Sequence, residues 1–412
     1  MSKQQYKQEG FESLAKEQLL YPQEQLAMVK KDRKKLTIGI PREKSSNEKR
    51  VALRPEAVEI LVNNGHEFIV ETQAGEGGKF TDQQYSEAGA MIVYSDKEIY
   101  ECDIIIKIEP PTLEEVEYMK PGTTIISALQ IAKLNPEYLK TLIRKKIIAI
   151  AFEFLEDQVG AMPIVRAMSE IAGSTVMLIA AEYLSSENDG KGLILGGVTG
   201  VPPSKVVIIG AGTVGEYAAR TALGMGAELK VFDKSIYRLR RLKYAINSHQ
   251  IFTSTLDTMM LSEAISRADV VIGAMRGEGV RSPFIVTEDM VASMKPNSVI
   301  VDVSIDQGGC FETSELRTLK SPTFKKFGVI HYCVPNIASR VARTSATALS
   351  NILTPYLIEI GETGGIEDMI FANTWFMKGV YAYRGHLTNP YIARKFDIPF
   401  KELAFLTAGR ML

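Results

Sequence analysis

The sequence predicts an α/β protein made of two doubly wound, Rossmann-like units, and three observations carry that prediction. Residues 205–233 run strand, glycine turn, helix, strand and terminal acid without interruption. Short apolar strands alternate with helical patterns on both sides of that stretch, and nothing repeats at a fixed period.

Residues 1–35 are polar and helix-prone, and they end in the basic cluster Lys30-Lys31-Asp32-Arg33-Lys34-Lys35. They read as a partly helical N-terminal extension whose charges are solvated. From Leu36 the texture changes to a strand, LTIGIP, a helix, RPEAVEILVNNG, and a strand, HEFIVET. Further strands are predicted at 102–108, 124–129 and 147–152, with no glycine fingerprint in this first unit. Arg50 falls in the loop NEKRVALRP, and Lys107 ends the strand DIIIKIEPP. A cation at the carboxyl end of a parallel strand points into the crevice where open sheets bind ligands. Arg offers a fork that matches a carboxylate, and Lys offers a point charge. Position alone leaves both equally readable as solvated surface cations.

A helix is predicted over 164–184, followed by the glycine-rich linker GKGLILGGVTGVPPSK and then KVVIIGAGTVGEYAARTALGMGAELKVFD. Gly210 permits the tight turn, Gly212 lets the backbone approach a pyrophosphate, and Gly215 lets the helix lie close on the sheet. The helix N-terminus offers unpaired N–H groups and positive dipole to phosphates. Asp233 stands where a carboxylate accepts from the adenosine ribose and repels a 2′-phosphate, which predicts NAD over NADP. Lys234 and Arg238 are the nearby cations that NADP would use. The plainer reading is a βαβ unit with a glycine turn and a solvated Asp233. Strands follow at 269–274 and 298–304, the second ending in IDQGGC with Asp306 at its carboxyl end. The segment IHYCVPNIASRVARTSATALSNILTPYL crosses from the last strand into a helix beginning near Thr344.

The 412 residues carry 48 basic and 49 acidic side chains, leaving no field to attract nucleic acid or an anionic membrane. The partner is expected to be a small molecule. Cys102, Cys310 and Cys333 are too few and too scattered for a disulfide framework or a metal site, so a reduced, cytoplasmic compartment is expected. No apolar run approaches the length of a membrane span, and MSKQQYKQEG lacks the apolar core of a signal peptide.

Taken together, IGIPREKSSNEKRVALRP, NGHEFIVETQAGEGG, the Lys107 strand, MPIVRAMSEIAG, GGVTGVPPSKVVIIGAGTVGEYAA, MKPNSVIVDVSIDQGGCFET and CVPNIASRVARTSATAL resemble the family of alanine dehydrogenase and the transhydrogenase alpha subunit. The resemblance runs from Leu36 to the C-terminus. It implies a nucleotide domain, 164–343, inserted into a discontinuous substrate domain, 36–163 with 344–412, and an active site between them. It implies NAD-dependent deamination of a small L-amino acid, most simply L-alanine to pyruvate and ammonia. By it, Arg50 takes the substrate carboxylate and Lys107 its carboxylate or carbonyl side. Asp306 sits by the reacting nitrogen and the nicotinamide ribose, and Ser169, Val334 and Asn336 lie near the cofactor. A homo-oligomer is implied too, a hexamer for the dehydrogenases.

The sequence departs from the family at Gln130, where alanine dehydrogenases carry a histidine as acid/base. Gln can hydrogen-bond but has no proton to give near neutral pH. It is expected to orient substrate while Lys107, Asp306 and water move protons. His66, His249, His331 and His386 lie elsewhere, and His331 reads as a strand-end histidine with a satisfied hydrogen bond. Arg276 and Glu278 replace an apolar stretch, and Ile337-Ala338 a Met-Pro pair. These changes also suit a relative acting on a larger amino acid or an opine- or saccharopine-type conjugate. A transhydrogenase subunit is disfavoured by Gln158, Gly160 and Pro163, which stand where that family's nicotinamide loop has Arg, Gln and Asp. A non-catalytic NAD-binding protein is the remaining alternative.

Overall fold

The computed structural model describes residues 34–131, 134–247, 251–275 and 284–407. The predicted extension before Lys34 and the Arg276–Glu278 segment lie outside the described residues.

Two sheets organise the chain. The first holds β1 (Thr37–Ile40), β2 (Glu67–Glu71), β3 (Met91–Val93), β4 (Ile104–Ile106), β5 (Thr124–Ser127) and β6 (Ile148–Ala151). The second holds β7 (Lys205–Ile209), β8 (Glu228–Phe232), β9 (Ile251–Ser254), β10 (Val270–Gly273), β11 (Val299–Asp302), β12 (Thr323–Lys326) and β13 (Val329–Tyr332). The strand orders are β3-β2-β1-β4-β5-β6 and β9-β8-β7-β10-β11-β13, all parallel. Both are the doubly wound order, which reverses direction beside the first strand and opens a crevice there.

The strands read as continuous apolar runs because helices cover both faces. Ile104 and Ile106 enter the core on one face of the first sheet while Ile105 enters the core on the other. In the second sheet Val206 and Ile208 divide from Val207 and Ile209 in the same way.

Antiparallel strands finish both sheets: β12 pairs with β13, and β14 (Val380–Tyr383) pairs with β6 and with β15 (His386–Leu387). The chain thus leaves the first sheet after β6, builds the second, and returns. The return runs along the Ala342–Glu362 helix, whose Ala346, Leu349, Leu353, Leu357 and Ile360 enter the first sheet's core. Its start falls two residues before the predicted Thr344.

The Pro163–Leu184 helix corrects one expectation: over 22 residues it is long and apolar enough to cross a membrane. Its apolar character has another physical cause, since it packs on the Thr213–Gly224 helix along one side and meets the Ala342–Glu362 helix along another. Gly173 makes the first contact possible, because a Cβ there would lie 2.4 Å from the Val214 carbonyl oxygen.

Gly210 holds φ +113°, and a Cβ on Gly215 would sit 1.8 Å from the Gly210 carbonyl oxygen. A Cβ on Gly212 meets nothing within 4 Å, so the turn is open on that side. Gly215→Ala is therefore expected to lower unfolding free energy by about 1–3 kcal/mol through overpacking. Gly212→Ala is expected to leave it unchanged while weakening dinucleotide binding, as checked by urea denaturation alongside NAD titration.

Candidate active site between the two sheets

A cavity of about 320 Å³ lies where the carboxyl ends of the two sheets face each other. The first sheet supplies Ile108 beyond β4, Ala128 beyond β5, and Phe152 and Glu153 beyond β6. The second supplies Ala274 beyond β10 and Val303, Ser304, Asp306 and Gln307 beyond β11. Met168 and Ser169 of the Pro163–Leu184 helix and the turn Asn336-Ile337-Ala338 close the sides.

Arg50 lines this cavity as the sequence predicts, but its guanidinium already has a partner. Nε donates to Glu48 Oε1 at 2.8 Å and Nη2 to Oε2 at 2.6 Å, while Nη1 meets the Met168 sulfur at 3.4 Å. Burial opposes ionisation of Glu48, yet the hydrogen bonds and charge of Arg50 outweigh it and hold that carboxyl below its ordinary value. Asn336 Nδ2 donates to the same Glu48 Oε2 at 2.7 Å. Asn336 adopts φ +60°, a left-handed conformation that Asn tolerates. One carboxylate thus orients Arg50 and ties the second sheet's exit turn to the first sheet's loop.

Asp306 and Ser169 also line the cavity, and Asp306 is exposed to it. The loop that carries Asp306 is anchored by Asp302, a buried carboxylate accepting from Ser304 N, Cys310 N and Ser314 Oγ at 3.0, 2.9 and 2.6 Å. Burial pushes Asp302 up to about 6 against those hydrogen bonds.

Several predicted residues stand elsewhere. Lys107 does not line the cavity. It is 2% exposed, with Nζ 3.0 Å from Glu115 Oε2 and 3.9 Å from Glu43 Oε2. Side chains alternate along an extended chain, so with Ile108 facing the cavity its neighbour must face away. Glu43 in turn accepts Ile108 N at 2.5 Å and Glu109 N at 3.3 Å. Burial pushes the Glu43 carboxyl up to about 7, against the opposing charge of Lys107.

Gln130 also stands off the lining: at φ +49° its backbone N–H donates to Glu153 Oε1 at 3.0 Å. Val334 is buried in the second sheet's core, two residues before the lining residue Asn336. Asp233 is fully buried, accepting Ala211 N on Oδ2 at 2.7 Å and Ser235 N on Oδ1 at 2.8 Å. It therefore pins the glycine loop from behind, and the solvated alternative for this residue is excluded. His331 lies inside β13, bonded to Thr313 Oγ1 at 2.8 Å and to the Val329 carbonyl at 3.0 Å, and it does not reach the cavity.

Glu153, Ser304 and Gln307 line the cavity and were not singled out from the sequence. Glu153 had a usable signal, because it directly follows the predicted 147–152 strand.

The profile described as "Alanine dehydrogenase/PNT, N-terminal domain" matches residues 39–172, and "Alanine dehydrogenase/PNT, C-terminal domain" matches 176–390. The chain belongs to the alanine dehydrogenase/PNT family. It is 40% identical to an alanine dehydrogenase of Methanococcus maripaludis over 367 residues, covering 89% of this chain and 98% of that protein. Identity is also 40% to alanine dehydrogenase 2 of Staphylococcus aureus over 372 residues, with the same coverage. A solved L-alanine dehydrogenase superimposes with a TM-score of 0.83 at 35% identity, covering 88% of this chain and 99% of that one. A transhydrogenase from Sinorhizobium meliloti shares the fold, with a TM-score of 0.73 at 24% identity, covering 86% of this chain and 99% of that one.

Two outcomes follow for this member of the alanine dehydrogenase/PNT family. Lys107→Ala removes the nearest cation from the Glu115 and Glu43 carboxylates and leaves Glu115 only Lys44, at 3.5 Å, so unfolding free energy is expected to fall by about 3 kcal/mol in urea denaturation. His331 protonates at its ordinary 6.5 in the unfolded chain, and burial lowers it to about 4 in the folded one. Its contribution to stability is full above about pH 6.5 and is lost as the pH falls toward 4. A comparison of melting temperatures across that window should show a steeper acid-side fall for wild type than for His331→Gln.

Proposed function

We propose that this chain catalyses the reversible, NAD-dependent oxidative deamination of L-alanine to pyruvate and ammonia. The carrying observation is a cavity between the carboxyl ends of two doubly wound sheets, with Arg50 and Asp306 on its walls, in a chain 40% identical along 98% of an alanine dehydrogenase. It is an oxidoreductase that depends on NAD and takes an amino acid and a 2-oxo acid.

The open space at Gly212 fits a pyrophosphate on the Thr213–Gly224 helix terminus, with Gly210 and Gly215 shaping the turn. When bound, NAD supplies the hydride acceptor. Asp233 places a negative charge behind that loop, which favours NAD over NADP; its contact with a ribose hydroxyl uses the carboxylate that now holds Ala211. Ser169 and Asn336 flank the cofactor, and Val334 supports their wall from the core.

Arg50 receives the substrate carboxylate. Glu48 holds the Nε and Nη2 edge, so the remaining guanidinium N–H groups are presented in a fixed plane and little side-chain entropy is lost on binding. Asp306 stands by the amino group. Gln130 acts through its backbone, as part of a turn that Glu153 clamps. Lys107 acts from behind the wall, through the Glu43 carboxylate that grips Ile108.

The substrate unit comprises 36–163 with 344–412 and the nucleotide unit 164–343, a division supported by the return of Val380–Tyr383 to the first sheet. The three cysteines are free and buried, which fits a reducing cytoplasm. Assembly as a homo-oligomer, a hexamer by resemblance, belongs to the same proposal.

Purified protein with NAD and L-alanine at mildly alkaline pH should generate the reduced-nicotinamide absorbance band. Arg50→Ala should raise KM for alanine by about 30-fold or more, the loss of a charge-assisted carboxylate contact, with NAD affinity unchanged. NAD binding without reduction by any member of an amino-acid panel would sink the proposal; a response confined to larger amino acids would move the substrate while keeping the chemistry.

A further inference from the structure

The proposed reaction needs a group that accepts and returns protons at the reacting nitrogen, and of the residues expected to serve only Asp306, on the second sheet's wall, reaches the cavity. Lys107 is turned away into an ion pair with Glu115. Gln130 carries no titratable proton and presents its backbone rather than lining the wall. His331 is engaged at both ring nitrogens inside β13. Among the described lining residues the ionisable ones are Arg50, Glu153 and Asp306, and Arg50 is too basic to exchange protons near neutrality.

Resting on the dehydrogenase reading, we propose that Glu153 is a catalytic acid/base of this enzyme, working from the substrate wall of the cavity. Its position is built by the fold. It leaves the carboxyl end of β6, next to β5, and its Oε1 accepts Leu129 N and Gln130 N, each at 3.0 Å. A further approach of Leu129 N to Oε2 is 2.9 Å. The left-handed turn at Gln130 aims two successive N–H groups at one carboxylate, so Glu153 is fixed against the chain segment where the family carries its histidine. A carboxylate oxygen has more than one acceptor site, so a cavity-lining Glu153 clamped by two N–H groups can still receive and return a proton.

The step balances as follows. Glu153 takes one proton from the substrate ammonium, the Cα hydride passes to the nicotinamide, and the substrate becomes an iminium while the proton on Glu153 is released to solvent. Glu153 then takes a proton from water as the water oxygen bonds to that carbon, forming a carbinolamine. It returns the proton to nitrogen as the C–N bond breaks and the hydroxyl proton leaves with the departing ammonia as ammonium. The sum is alanine, NAD and water giving pyruvate, NADH, ammonium and one proton.

The test compares wild type with Glu153→Gln and Glu153→Asp by steady-state kinetics across pH, beside NAD affinity by fluorescence titration and melting temperature. Gln retains one carbonyl oxygen to accept Leu129 N and Gln130 N, so the clamp survives while proton transfer does not. Support is a fall in kcat of about 100-fold or more for Glu153→Gln, with KM for alanine, NAD affinity and melting temperature little changed. The acid limb of the kcat/KM profile should vanish with it, and Glu153→Asp should restore part of the rate. Glu153→Gln with kcat within threefold of wild type and an unchanged profile overturns this assignment alone, because an active wild type keeps the dehydrogenase reading. An inactive wild type that binds NAD overturns both.

Discussion

Parallel strands joined by right-handed crossovers leave every carboxyl end on one edge of a sheet, and the rest of this structure depends on that constraint. Each sheet here reverses its winding beside its first strand, at β1 against β4 and at β7 against β10. The two edges are turned toward each other, so loops distant in sequence meet in one cavity. Arg50, Glu153 and Asp306 come together because each follows or neighbours such an edge, not because they are near in the chain. The Ala342–Glu362 helix makes the arrangement durable, since it begins at the second sheet's exit turn and ends in the first sheet's core.

Charge placement near the cavity follows one rule, that a buried charge needs partners. Glu48 is paired by Arg50 and Asn336, and the pairing fixes the plane of the Arg50 guanidinium. Lys107 is held by Glu115 and approached by Glu43, behind the wall. Asp302 and Asp233 are satisfied largely by backbone N–H groups and each secures a glycine-containing loop, one bearing Asp306 and the other the Gly210–Gly215 turn. Five carboxylates behind the wall thus set the backbone shape of the site while the groups facing the cavity remain fewer.

Much of the fold was legible because the physics behind it is local. Val206 to Ile209 is apolar and β-branched, Gly210 must take a positive φ, and the helix after Gly212 has the alanines that close packing needs, so the nucleotide unit announces itself. The antiparallel strand Val380–Tyr383 does not, because pairing with β6 is settled by a contact across more than two hundred residues. Likewise the Pro163–Leu184 helix has the composition of a membrane span, and only its two packing partners reveal a core helix.

The site divides along the same line. Sequence by itself determined the glycine turn, since the tight passage from strand to helix demands Gly210 and Gly215, and it put Arg50 in a loop without distinguishing a ligand-facing cation from a solvated one. Tertiary structure alone decided which face of the β4 extension meets the cavity, sending Ile108 in and Lys107 out. It also decided that Asp233 grips Ala211, and that Glu153 stands on the wall which Gln130 only abuts. The physical reason is common to these: a strand's side chains alternate between two faces, and which face is the cavity is set by the second sheet, whose position no local pattern encodes.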